Sequence, residues 1–192
     1  MKKTIMETMV AAAFATGAVA AQAAPLPLQD AVITASYNGV AADMLGLDHS
    51  FQPEAGSNTT ALDPTGTGIE FLSADSLFGF DFAARGAVTI YSNGTITPGS
   101  YHFHFDFGST LARPLTSFVL TDASAVSGLP LLQLAADGRS IDIDLSAVTW
   151  NSDFAAVTAQ LDAAAVPEPG SVALLLGGLG VMSALRRRQP LA

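Results

Sequence analysis

Cysteine does not occur in the 192 residues. A disulfide framework, a thiolate nucleophile and a cysteine-based metal centre are therefore excluded. Lysine is absent from residues 24–165. The only basic residues there are Arg85, Arg113 and Arg139, against fifteen carboxylates, for a net charge of −12. Such a stretch has no basic footprint with which to neutralise phosphates, so nucleic acid is ruled out as a partner. The same excess of carboxylate favours solubility and draws cations. Histidine is confined to positions 49, 102 and 104. There is no Gly-x-Ser-x-Gly elbow, phosphate loop, dinucleotide fingerprint or His-Glu-x-x-His pair. No catalytic residue is assigned on these grounds, and a non-enzymatic protein is expected. No repeat of solenoid or propeller length is present either.

Long apolar runs occur only at the two ends, and they inflate the mean hydropathy of +0.40. At the start, Lys2 and Lys3 precede the apolar run Val10–Ala21, and Ala21-Gln22-Ala23 follows the small-x-small cleavage rule. Residues 1–23 read as a helical signal peptide, handled by an export translocon and a signal peptidase, with Ala24 as the new N-terminus. Glu7 is unusual in a leader but lies ahead of the apolar run. A core helix is the alternative.

The other end, residues 166–192, has three parts in fixed order: Val166 and the box Pro167-Glu168-Pro169, the uncharged run Gly170–Leu185, and the cluster Arg186, Arg187, Arg188. Sixteen residues make a helix of about 24 Å, whereas a bilayer core is about 30 Å thick. Gly177, Gly178 and Gly180 weaken it further. Such a transmembrane helix can still span by local thinning, with the arginines snorkelling to the headgroups. The arginines hold that end on the cytoplasmic side. Pro167 and Pro169 force the helix to begin after them. On this reading alone the segment is an ordinary C-terminal anchor.

The order of parts also resembles the PEP-CTERM sorting signal of Gram-negative bacteria. The resemblance covers 27 of the 192 residues, and Gln189–Ala192 runs slightly past its pattern. It implies recognition by an exosortase, a transpeptidase-like membrane enzyme that cuts near the box. It also implies an exported protein, held transiently in the inner membrane and then placed at the cell surface or outside the cell. Members of the family are often linked to exopolysaccharide and biofilm matrix.

The stretch between, 24–165, reads as one extracytoplasmic domain of ordinary size. Its dominant pattern has period two. In Tyr101–Phe107 the aromatics Tyr101, Phe103, Phe105 and Phe107 alternate with His102, His104 and Asp106, as in a half-buried strand. Val32–Tyr37, Phe78–Phe82, Ala87–Tyr91, Ser117–Thr121, Leu131–Ala135 and Ile141–Leu145 are further strands, and Phe154–Leu161 reads as a last strand rather than a helix. Asn38-Gly39 marks a turn, Asn93-Gly94 a hairpin into Thr95–Thr97, and Asp137-Gly138 a second hairpin. Val40–Phe51 is ambiguous, and Gln52–Gly68 reads as a long polar loop. About nine short strands without intervening helices predict an all-β, antiparallel β-sandwich or jelly-roll-like domain.

Three sets of residues bear on chemistry. His102, His104 and Asp106 share one strand face at a spacing of about 6.5–7 Å, which suits either a zinc-type ion or a plain solvated face. Asp63, Thr65 and Thr67, or Asp142 and Asp144, offer oxygens to a divalent cation such as calcium, or are ordinary turn and surface residues. Tyr91 or Trp150 stacks sugars or belongs to the core. Three functional classes follow: a structural, matrix-associated surface protein; a glycan- or cation-binding module; and a metal-dependent enzyme built on His102 and His104. The first is preferred.

Overall fold

Alternating side chains point to opposite faces of a strand, so each period-two run can bury one face and wet the other. The computed structural model describes residues 27–47, 57–62 and 68–164, with Gly177. The expected signal helix, the sorting segment, and His49, Asp63, Thr65 and Thr67 lie outside the described residues. Among the described residues no helix is long and apolar enough to cross a membrane.

Among the described residues thirteen strands form: β1 (Val32–Tyr37), β2 (Met44–Gly46), β3 (Thr59–Ala61), β4 (Phe71–Ser73), β5 (Phe78–Phe82), β6 (Ala87–Ser92), β7 (His102–Asp106), β8 (Leu115–Asp122), β9 (Val126–Ser127), β10 (Leu131–Leu134), β11 (Ser140–Asp144), β12 (Thr149–Trp150) and β13 (Ala156–Ala163). They build a five-stranded sheet in the order β10-β11-β7-β1-β3, a six-stranded sheet in the order β2-β4-β5-β6-β13-β8, and a β9–β12 ribbon. Every strand pairing is antiparallel. Residues 27–164, where described, are all-β apart from one 3-10 turn at Ala41–Asp43.

The apolar faces of the two large sheets meet in one aromatic core. Phe80 of the six-stranded sheet lies with its ring centre 4.7 Å from Phe103 and 4.9 Å from Phe105 of the other sheet. Phe71 and Phe82 reach Phe105 at 5.6 and 5.0 Å. Ile141 and Ile143 form the inner face of β11, and Leu145, just beyond it, is buried as well. Tilted and edge-on ring pairs of this kind contribute about 0.5–1.5 kcal/mol each beyond their buried area.

Turn chemistry explains the connections. Asn38 and Gly39 both have positive φ, at 48° and 79°, and Tyr37 and Val40 exchange backbone hydrogen bonds across them, the geometry of a type I′ turn. The β10–β11 hairpin closes through Gly138 at φ 66°. A Cβ there would stand 2.4 Å from the Leu115 carbonyl oxygen, so only glycine fits.

Several expectations are corrected. Asn93-Gly94 does not close a hairpin into Thr95–Thr97, because β6 already has β5 and β13 on its two edges. Thr97 instead accepts from the Tyr101 hydroxyl at 2.5 Å, Thr95 bonds Asp153, and Ile96 packs against the core. The stretch 52–68 is not all loop, since β3 pairs with β1 there. Phe154 is not in the last strand; it has φ 57° and is 74% exposed. Val40–Phe51 contributes the 3-10 turn and the edge strand β2.

Tyr37 gives the fold a pH dependence. Its ring stacks on Phe103 at 4.6 Å and its hydroxyl donates to Asp75 Oδ2 at 3.2 Å. Burial first, then the Asp75 carboxylate, push the phenol up to about 12. An unfolded tyrosine ionises near ~10. The stabilisation from Tyr37 is thus fully present below about pH 10 and is lost as pH rises through about 12. Tyr37→Phe should flatten that alkaline decline in denaturant-measured stability. An unchanged slope would assign the decline to other groups.

Candidate functional site

The outer face of the five-stranded sheet gathers most of the sequence-predicted polar residues. Register does this: in the β7–β11 pairing His104 stands opposite Asp142, and His102 opposite Asp144. Directly opposed side chains on one face come within contact reach. His104 Nδ1 donates to Asp142 Oδ1 at 2.8 Å, and His102 Nδ1 lies 3.3 Å from Asp144 Oδ2. His102 and Asp142 are more than half exposed, at 56% and 53% of their side-chain surface. Pairs this exposed contribute at most about 1 kcal/mol, so they arrange the surface more than they hold the fold.

Other groups fix the arrangement. The Asn38 amide nitrogen donates to the His102 carbonyl at 2.7 Å, and Asn38 Oδ1 accepts from the His102 amide at 3.1 Å. The type I′ turn is thereby hooked onto β7. Partial burial alone would raise the Asp144 carboxyl. The Ser146 donors and His102 outweigh it and hold that carboxyl below its usual range. Asp106 turns to its own loop, accepting from the Gly108 amide at 2.7 Å.

His102, His104 and Asp106 therefore share a face but do not converge on one point. Each imidazole is engaged through Nδ1 with its own cross-strand carboxylate. Among the described residues no group of three His, Asp or Glu is placed to hold a metal ion. Asp142 and Asp144 likewise each face an imidazole. What the face does form is a groove of about 510 Å³, lined by both histidines and both aspartates together with Ser36, Gly39, Leu131 and Gln133. Its polar members can donate to and accept from a hydroxyl-rich ligand, and its two carboxylates attract cations.

Ser36 and Gln133 escaped the sequence reading. The available signal was alternation: both are outward positions of strands that were recognised. Gln133 stands opposite Asp142, and Ser36 opposite His104. The two aromatic candidates fall differently. Trp150 packs at 6.2 Å on Phe78, and its indole Nε1 is buried without a hydrogen-bond partner among the described residues. It is a core anchor. Tyr91 is half-buried, and burial followed by Asp81 raises its phenol.

Fold and face together define an acidic, antiparallel all-β domain with paired imidazoles and carboxylates on one sheet surface. Residues 165–189 match the PEP-CTERM protein-sorting motif. The chain carries that signal, which implies an exported protein, transiently anchored in a membrane and processed there by an exosortase. No curated protein and no solved structure matches the chain.

Proposed function

We propose that the chain is delivered by its two terminal signals to the surface of a Gram-negative cell or its extracellular matrix. There residues 24–165 act without catalysis, as a two-sheet sandwich associated with exopolysaccharide or biofilm. The observation that carries this reading is adjacency: the sorting motif begins at residue 165, directly after β13 ends at Ala163. Nothing separates the acidic domain from its sorting signal but Ala164, so the domain is the cargo of that signal. The translocon, signal peptidase and exosortase are its transient partners.

A second reading, a glycan- or cation-binding module, is favoured by the groove over His102, His104, Asp142 and Asp144. An enzyme built on His102 and His104 draws no support from imidazoles already committed to separate carboxylates. The two main readings are separated by fractionation and by mutation. The processed protein should co-purify with extracellular polysaccharide and be released when that polymer is digested. If the groove is responsible, Asp142→Ala with His104→Ala should abolish retention while leaving the denaturation midpoint unchanged. Protein that is free of polymer before digestion would count against both.

A further inference from the structure

Register arranges the groove of the five-stranded sheet in rows. Ser36 of β1 stands opposite His104 of β7, His104 opposite Asp142 of β11, and Asp142 opposite Gln133 of β10. All four line the groove. Neighbouring strands lie about 4.8 Å apart, so this row is roughly 14 Å long, longer than one sugar ring. The next row repeats the order, with His102 opposite Asp144 and Asp144 opposite the exposed Leu131. Two like rungs of imidazole and carboxylate thus follow one another along the strands at a spacing of about 6.5–7 Å.

These rungs accept more hydrogen bonds than they donate. The ring nitrogen that faces a carboxylate carries the hydrogen, which leaves Nε2 of a neutral ring as an acceptor. An ionised carboxylate has about four acceptor positions. His104 takes one on Asp142, and Asp144 accepts from the Ser146 amide at 2.8 Å while facing His102. Both therefore keep acceptor capacity for a ligand. No arginine or lysine is among the lining residues. Arg113 and Arg139 donate to the carbonyls of Ala164 and Gly108, and Arg85 stands in the β5–β6 turn of the other sheet. Phe103 is the one phenyl ring in the lining, and it is buried in the core. The groove thus offers carboxylate charge and acceptor atoms, but no aromatic platform on which a neutral sugar could stack.

We propose that this groove takes a saccharide that carries free amines, with its ammonium groups against Asp142 and Asp144 and its hydroxyls against Ser36, Gln133 and the imidazole Nε2 atoms. The proposal rests on the reading of the groove as a glycan site and names the class of glycan. An ammonium group only donates, so it complements a surface of acceptors. Hydrogen bonds between charged partners are also about twice as strong as neutral ones, which offsets the missing stacking. Ser36 and Gln133 each donate and accept, as hydroxyls require. The whole domain acts in the same direction. At a net charge of −12 over residues 24–165 it draws a cationic polymer and repels a uronate or sulfated one.

The test is calorimetric titration of the full chain, in nonionic detergent near neutral pH, with four probes: a glucosamine oligomer with free amines, its fully N-acetylated form, a glucuronate oligomer and an oligolysine. The free-amine oligomer should bind, and the other three should bind more weakly or not at all. Asp142→Asn keeps the shape of the side chain and removes its charge. It should weaken binding roughly fivefold, the effect expected of one exposed charge pair, and so should Asp144→Asn. Asp142→Glu should restore most of the loss. Asp122→Asn makes the same change in net charge on the other sheet and should leave binding unaltered. Unchanged denaturation midpoints show that the variants are folded. Equal binding of the N-acetylated oligomer, or preference for glucuronate, would overturn the amine proposal and leave the glycan reading standing. Oligolysine bound as tightly as the glucosamine oligomer, or Asp122→Asn as damaging as Asp142→Asn, would reduce the effect to general attraction of cations and overturn the proposal. A chain that binds none of the saccharides would overturn it together with the glycan reading.

Discussion

Phe105→Ala is expected to lower the stability of the domain by about 3–5 kcal/mol. Phe105 is fully buried, and its ring is surrounded by Phe71, Phe80 and Phe82 from the opposite sheet at 5.6, 4.9 and 5.0 Å. In its own sheet it stands opposite Ala35 on one side and Ile141 on the other. The cavity left by alanine would be walled by strands of both sheets, each held by its own ladder, so little collapse can refill it. Domains of this kind are stable by only about 5–15 kcal/mol, so the loss is a large share of the total. His104→Ala, the next residue on the same strand but on the wet face, should cost less than about 0.5 kcal/mol. Trp150 sits against Phe78 of the same core, so its fluorescence follows unfolding in denaturant for both variants. Equal midpoints for the two would contradict a core centred on Phe105.

The same strand shows what a sequence makes legible. In Tyr101–Phe107 the alternation names the inner and the outer residues without any knowledge of partners, because side-chain direction is a local property. The burial of Phe103, Phe105, Ile141 and Ile143 and the outward position of His102 and His104 follow from it. The pairing of His104 with Asp142 does not. It depends on which strand lies beside β7 and in what register, and those are set by the β10–β11 hairpin and by β1, far away in sequence.

Strands of two or three residues leave no period to detect. β3 is an example: Thr59-Thr60-Ala61 reads as polar loop, yet Thr60 is buried and its hydroxyl donates to the Leu47 carbonyl at 2.8 Å. The false hairpin at Asn93-Gly94 has the converse cause. The dipeptide favours a tight turn, and Gly94 does take φ 103°, but the place beside β6 belongs to β13, which arrives more than sixty residues later. A strong local preference was outweighed by a five-rung ladder.

Replacing Pro167-Glu168-Pro169 with alanines should abolish maturation while leaving membrane insertion intact. Insertion is expected to depend on the apolar run Gly170–Leu185 and on Arg186–Arg188, which the substitution does not touch. The run is sixteen residues, about 24 Å as a helix against a hydrocarbon core of about 30 Å. Its glycines weaken it further, so it suits handover to an enzyme better than lasting anchorage. The box stands between this run and a folded domain whose chain is held as far as Ala164 by Arg113. The cutting enzyme therefore has only a short segment to grip. Proline disfavours helix at its own position and the one before it, which favours an extended box. With three alanines, good helix formers, the helix can extend upstream and remove the extended peptide that a protease or transpeptidase must bind. Mass spectrometry of surface and membrane fractions gives the result. Wild-type surface protein should lack the arginine cluster, and the alanine variant should accumulate in the membrane with Arg186–Arg188 still attached. An intact C-terminus on the wild-type surface protein would make the segment a permanent anchor.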